Sequence, residues 1–288
     1  MGKGWYHLIA LLVVIIWGVT FVSTKILLFN GLAPKDIFFY RYFLAYIGIW
    51  FIGRQTLFAK NLKDEFLFML MGITGGSLYF IAENTALKFT LASNVALLLC
   101  IAPLFTAILS HLLLKTEKLN RYIVQGSLIA ITGVAFVSFN GHFILQINPL
   151  GDLLCIVAAL SWAFYTILLK QMSLKYPILL ITRKVFFYGL ISILPIFFFY
   201  PFSIEISVLQ QPVVWGNLLF LGIVASLLCY FLWNKAVKKI GAVRTTNYVY
   251  ISPLITLLTS AIVINETITL ISAFGALLIL TGVALAER

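Results

Sequence analysis

Long apolar stretches separated by short polar links run the length of the chain, and that rhythm sets the first expectation. A helix needs roughly 20 apolar residues to cross about 30 Å of hydrocarbon. Ten stretches fit: 6–28, 36–53, 66–87, 92–114, 122–140, 150–169, 178–200, 214–234, 243–264 and 268–286. The links span a few residues each, the longest being 54–65 and 201–213, which leaves no room for a soluble domain or an extramembrane catalytic loop. The first run, 6–29, is too long for a signal-peptide core and lacks a small-residue cleavage site, so it is expected to remain as a helix. The pattern predicts an all-α integral membrane protein of ten transmembrane helices.

Composition narrows the class. Of the 288 residues, 62% are hydrophobic and 10% charged, against about 45–50% and 25% in soluble domains. No soluble fold of this length hides that much apolar surface. The net charge of +11 does not point to nucleic acid, because the cations are scattered through the links rather than gathered on one face. Fourteen of them fall on one side of the predicted membrane, while the other side has only Lys35 and Lys88. Lys25, Arg41, Arg183 and Lys184 lie within helices. The bias predicts cytoplasmic N- and C-termini and attraction to anionic lipid on that side. Cys100, Cys155 and Cys229 lie in apolar runs without ligand spacing, and three scattered histidines add no cluster. Neither metal nor cofactor is expected.

The sequence repeats itself. A shift of 150 pairs Asn84 with Asn234, Pro103 with Pro253, Thr106 with Thr256 and Ser110 with Ser260. A shift of 149 pairs Glu117 with Glu266 and Gly126 with Gly275, and brings Thr132–Ala135 onto the identical tetrapeptide Thr281–Ala284. Upstream, Trp17 matches Trp162 at 145 and Arg41 matches Arg183 at 142. Five helices per copy is an odd number, so the second copy, 145–288, must enter the bilayer from the face opposite to the first, 1–144. Such inverted repeats supply two mirror-related gating states around one central site.

On these residues the chain resembles the EamA family of the drug/metabolite transporter superfamily. The resemblance covers nearly the whole chain and rests on ordered features in both halves. They are the Trp-small pairs Trp17-Gly18 and Trp162-Ala163, an Arg in the second helix, Pro in mid-fourth helix, a Glu just after it, and the G-x-x-x-x-x-x-G-V-A fifth helix. It implies export or exchange of small metabolites, such as amino acids or drug-like compounds, across a prokaryotic inner membrane. It also implies a cavity lined by the first, third, fourth, sixth, eighth and ninth helices, with the fifth and tenth as braces.

Polar groups inside a bilayer are costly and need a reason. Glu83 is the one carboxylate well inside an apolar span, and spacing puts it on a face with Gly72, Gly76 and Tyr79. It is either a buried partner for Arg41, Lys25 or Lys88, or a site for a substrate amine or a coupling proton. Its counterpart is Trp233, not an acid. Asn84 and Asn234 are either cavity donors or glue between helices, and Asn94 and Asn247 are candidate further donors. Pro103 and Pro253 free the carbonyls of Leu99 and Val249, giving kinks that are either static or gating. Trp17 and Trp162 lie away from the interfacial belt and offer rings for a flat or cationic ligand, with Thr20 and Tyr165 extending their stripes. Tyr79, Tyr230 and Tyr248 are candidate lining. Arg41 and Arg183 are read as structural charges that snorkel or tether to carbonyls near the interface. The glycines 126, 133, 275 and 282 mark close packing or a dimer face.

These features predict a secondary transporter of small molecules working by alternating access, as a monomer or homodimer among membrane lipids. The alternatives are a lipid flippase-like protein or scaffold, and an integral-membrane lipid enzyme, for which no catalytic cluster is seen. No nucleotide-binding loop is present, so the driving energy must come from a coupling gradient or from the substrate's own.

Overall fold

The computed structural model describes residues 2–53, 56–89, 92–114, 121–139, 148–202, 206–263 and 269–286, and every regular element among them is helical. They comprise α1 (Lys3–Phe29), α2 (Pro34–Ile52), α3 (Leu62–Phe89), α4 (92–113), α5 (Arg121–Phe139), α6 (Pro149–Met172), α7 (Ile178–Phe199), α8 (Pro212–Ile240), α9 (242–263) and α10 (Leu270–Ala286), with a single turn at Ile206–Leu209 before α8. Helices α1, α3, α6, α7 and α8 are each long and apolar enough to cross a membrane. Large apolar side chains cover the outside, as a lipid-facing surface requires, with Phe51, Phe198, Ile262 and Leu270 each at least 80% exposed.

Local chemistry starts α3 four residues before the expected 66, and α6 one residue before the expected 150. The Asn61 side chain accepts from the Asp64 N–H, and Asp64 and Glu65 sit in the first turn of α3, satisfying open donors at the positive end of the helix. Asn148 does the same for α6, where Pro149 opens the helix.

Two features have no signature in the sequence. Helix α3 passes through a π-helical segment at Ile73–Ser77, and α8 through one at Phe220–Leu228. The 150-residue shift carries 73–77 onto 223–227, inside the second segment. Such segments are frequent at functional sites. The segment in α3 also breaks the regular face drawn through Gly72, Gly76, Tyr79 and Glu83. Gly72 instead packs against Tyr188 and Gly189 of α7, and Gly76 against Tyr42.

The inversion of the copies is visible in α5 and α10, which pack against each other. A Cβ on Gly126 would lie 2.5 Å from the Gly282 carbonyl oxygen, and one on Gly133 would lie 2.6 Å from that of Gly275. As residue numbers rise in one helix they fall in the other, so these duplicated helices run antiparallel. Their glycines are used within the chain, as close packing and not as a face for a second copy.

Candidate functional site

A cavity of about 60 Å³ lies among α1, α2, α3, α4, α6, α8 and α9. Its polar wall is Thr20, Arg41, Tyr79, Glu83 and Ser252; its aromatic wall is Trp17, Phe80, Trp162 and Tyr230. Glu83 lies six residues before the end of α3 and Arg41 seven after the start of α2, so both sit about 10 Å from the same side of the protein.

The walls are fixed by hydrogen bonds to the π segments. The Trp17 indole N–H donates to the Ala225 carbonyl at 3.0 Å. The Tyr42 and Tyr230 hydroxyls both donate to the Gly75 carbonyl, at 2.7 and 2.6 Å. Gly75 and Ala225 are themselves matched by the 150-residue shift. Small residues bring the helices close enough. A Cβ on Gly18 would lie 2.6 Å from Ile255 Cβ, and the Thr256 hydroxyl donates to the Gly18 carbonyl at 3.0 Å. That contact explains the small residue after Trp17. The rings then pack edge-on or tilted: Trp17 against Trp162 at 5.3 Å and against Trp233 at 4.9 Å, and Tyr79 against Trp162 at 5.1 Å.

Two opposite charges share this space. The Arg41 side chain is 2% exposed, stands with its guanidinium 4.0 Å from the Phe80 ring centre, and donates from Nε to the Ser226 hydroxyl at 3.0 Å. Glu83 is 5% exposed, with one carboxylate oxygen buried and without a hydrogen-bond partner. Arg41 and the Tyr79 hydroxyl are the polar groups that face it, yet no direct ion pair joins Arg41 to Glu83. A buried carboxylate left this way is expensive, and a cationic group placed beside it would be held strongly.

A model of the EamA-like transporter family matches residues 4–139 and 149–287, one match per copy. The chain belongs to that family. It is 30% identical over 284 residues to an uncharacterized transporter of Archaeoglobus fulgidus, covering 97% of this chain and 96% of the relative. It is 28% identical to a probable amino-acid metabolite efflux pump of Salmonella typhimurium, covering 95% and 92%, and 27% identical to one of Escherichia coli with the same coverage. One crystal structure superposes with a TM-score of 0.78 at 17% identity, covering 99% of this chain and 97% of that one, which supports the fold alone.

In this EamA-like transporter the residues singled out from sequence divide into two groups. Trp17, Thr20, Tyr79, Glu83, Trp162 and Tyr230 line the cavity. Arg41 joins them and does not snorkel at the interface; helix α2 contributes it although the resemblance did not implicate that helix. Position along the helix suggested the interface, and only packing against Phe80 and Ser226 shows that the side chain turns inward. Arg183 does tether: it is 4% exposed, donates to the Thr56 carbonyl and stacks on Trp50 at 4.8 Å.

The others lie off the cavity. Asn234 accepts from the Tyr165 hydroxyl at 2.7 Å and donates to the Thr182 hydroxyl at 2.9 Å, linking α6, α7 and α8. Asn84 donates to the Pro34 carbonyl at 3.2 Å. Tyr248 bonds His7 at 2.8 Å. Asn247 is wholly buried with neither end of its amide partnered. The Asn94 side chain, Glu117 and Glu266 fall outside the described residues. Pro103 and Pro253 each follow a break: α4 is interrupted at 100–101, and α9 tightens to a 3₁₀ turn at Tyr248–Ile251. Leu99 and Val249, whose carbonyls they were expected to free, both line the cavity. Of the cations proposed for Glu83, Lys25 donates to the Leu87 carbonyl at 2.9 Å and Lys88 is exposed.

Sequence reasoning missed one charged network. Glu65 of α3 accepts from Lys184 and Tyr188 of α7 and from the Ala59 N–H at 2.7 Å. Asp64 accepts from Lys175 at 3.0 Å and Tyr176 at 2.8 Å. The only available signal was two acids in the 54–65 link facing cations across the 170–184 stretch, on the same predicted side.

Proposed function

We propose that the protein exports small zwitterionic metabolites, amino acids foremost, by alternating exposure of one central site. The carrying observation is that Arg41 and Glu83 occupy the same cavity without pairing to each other. An α-amino acid brings the complementary pair, its carboxylate toward the guanidinium and its ammonium toward the Glu83 carboxylate. The rings of Trp17, Trp162, Tyr230 and Phe80 then take the side chain. The amino-acid metabolite efflux pumps among the relatives support this substrate class. Helices α5 and α10 brace the two copies, which extend over 1–144 and 145–288. The cation bias supports a prokaryotic inner membrane with cytoplasmic termini. The chemistry is carriage without bond making, so the protein is not an enzyme.

Proteoliposomes test the reading with three probes: L-phenylalanine, phenethylamine, which lacks the carboxylate, and 3-phenylpropionate, which lacks the amine. The amino acid should be carried at least tenfold faster than either analogue. Glu83→Gln should abolish the preference over 3-phenylpropionate, and Arg41→Gln the preference over phenethylamine. Equal transport of phenethylamine and phenylalanine by the parent protein would refute the paired-charge site.

A further inference from the structure

Ser226 is wholly buried in the π segment of α8 and meets Arg41 of α2 across the boundary between the two copies. Elsewhere in the bundle the Thr166 and Thr182 hydroxyls donate to carbonyls four residues back on their own helices, both at 2.9 Å. Among the described residues the Ser226 hydroxyl makes no such bond; it accepts from Arg41 Nε at 3.0 Å, and the Arg41 side chain makes no other hydrogen bond there. Gly222, one turn earlier on α8, lets α2 approach this closely. A Cβ at Gly222 would lie 2.7 Å from Leu44 Cβ and 3.3 Å from the Arg41 carbonyl oxygen. The guanidinium is thus anchored through Nε at Ser226 and through its face on the Phe80 ring at 4.0 Å. Its two terminal nitrogens keep no protein acceptor among the described residues. They form the edge that takes a carboxylate by paired hydrogen bonds.

The duplication supplies an internal comparison. The shift of 150 carries Gly76 onto Ser226, and the shift of 142 carries Arg41 onto Arg183. Helix α2 packs on the π segment of α8 as α7 packs on that of α3. The two arginines therefore stand on helices that approach equivalent segments, but at the matched position only one segment offers a hydroxyl. The arginine that meets it turns into the cavity. Arg183, whose segment has Gly76 instead, is held at Thr56 and Trp50. Without an acceptor at 226, the strongest partner left to Arg41 is Glu83, which lines the same cavity with one buried oxygen unpartnered. Opposite charges attract strongly where water is excluded, and a closed pair would leave neither group for a solute. We infer that Ser226 is a positioning residue, which holds Arg41 off Glu83 and presents the terminal edge of the guanidinium to the substrate carboxylate. The inference rests on the amino-acid reading for that carboxylate, but not for the hold on Arg41.

Two measurements test it. Phenylglyoxal modifies guanidinium groups at their terminal nitrogens, and peptide mass spectrometry reads its rate at Arg41 in the purified protein without substrate. Ser226→Ala should slow this modification at least fivefold, because the guanidinium closes onto Glu83. Adding Glu83→Gln to Ser226→Ala should bring the rate back to within twofold of the parent's. An unchanged rate in Ser226→Ala, or a double variant as slow as Ser226→Ala, overturns the inference. In proteoliposomes, Ser226→Ala should raise the KM for L-phenylalanine at least tenfold and leave the maximal rate within twofold, since the solute must first displace the closed pair. A KM within twofold of the parent's, or a loss carried by the maximal rate alone, overturns it. A parent protein that carries phenethylamine as fast as phenylalanine refutes the amino-acid reading instead, and the modification rates then decide the hold on Arg41 by themselves.

Discussion

Trp17 and Trp162, equivalent residues of the two copies, meet edge to face with ring centres 5.3 Å apart and planes at 88°. Trp17 is held in this pose by its bond to the Ala225 carbonyl. Trp17→Phe keeps a ring but drops the N–H. Hydrogen bonds between membrane helices average about 0.6 kcal/mol, so unfolding should shift little while transport falls several-fold because the ring is no longer aimed. Trp17→Ala also removes the packing and should cost about 3–5 kcal/mol. Thermal unfolding and proteoliposome flux on the same preparations separate the two effects.

Lys184 and Glu65 join α7 to α3 with side chains 5% and 19% exposed. Removing one partner from a largely buried pair strands the other charge, so Lys184→Met alone should destabilise by about 3–5 kcal/mol. The double variant Lys184→Met with Glu65→Leu should recover most of that loss, since apolar replacement of a buried pair is often neutral or stabilising. A double variant as unstable as Lys184→Met would show that the network does more than balance charge.

The α5–α10 contact makes a steric prediction. A Cβ at Gly282 would lie 2.5 Å from the Ala130 backbone nitrogen and 2.6 Å from the Gly126 carbonyl oxygen. Backbone cannot rotate aside as a side chain does, so Gly282→Val must separate the helices. Overpacking of this kind costs roughly 1–3 kcal/mol. The unfolding temperature should drop while the initial rate per folded molecule stays near that of the parent, because the cavity lies elsewhere.

What could be read from sequence followed from how strongly each environment constrains composition. Apolar runs must be long enough to span the bilayer, so the helices and the duplication were legible, and a lone acid within such a run marked Glu83. The matched tryptophans were legible because Trp is conspicuous away from the interface. Arg41 was assigned to the interface because spacing gives depth along a helix but not the direction of a long side chain. The π segments left no trace, since a short widened stretch needs no particular residue, and the face drawn through Gly72, Gly76 and Glu83 failed for that reason. The glycine pattern was seen but its partner was not, because close packing within a chain and between chains asks for the same small residues.

The Gly75 carbonyl offers a last test, of whether the π segment in α3 is a structural anchor. It accepts from Tyr42 of α2 and Tyr230 of α8, at 2.7 and 2.6 Å, so a single α3 oxygen ties both copies together. Tyr42→Phe or Tyr230→Phe leaves it one hydroxyl partner, and each should cost about 0.6 kcal/mol. The double variant removes both at a wholly buried site, and the loss should exceed the sum of the singles by about 0.5–3 kcal/mol, the range for residues sharing one network. A double-mutant cycle on thermal unfolding reads the coupling directly. Simple additivity would mean that the two hydroxyls act independently, and that the π carbonyl does not couple the two copies.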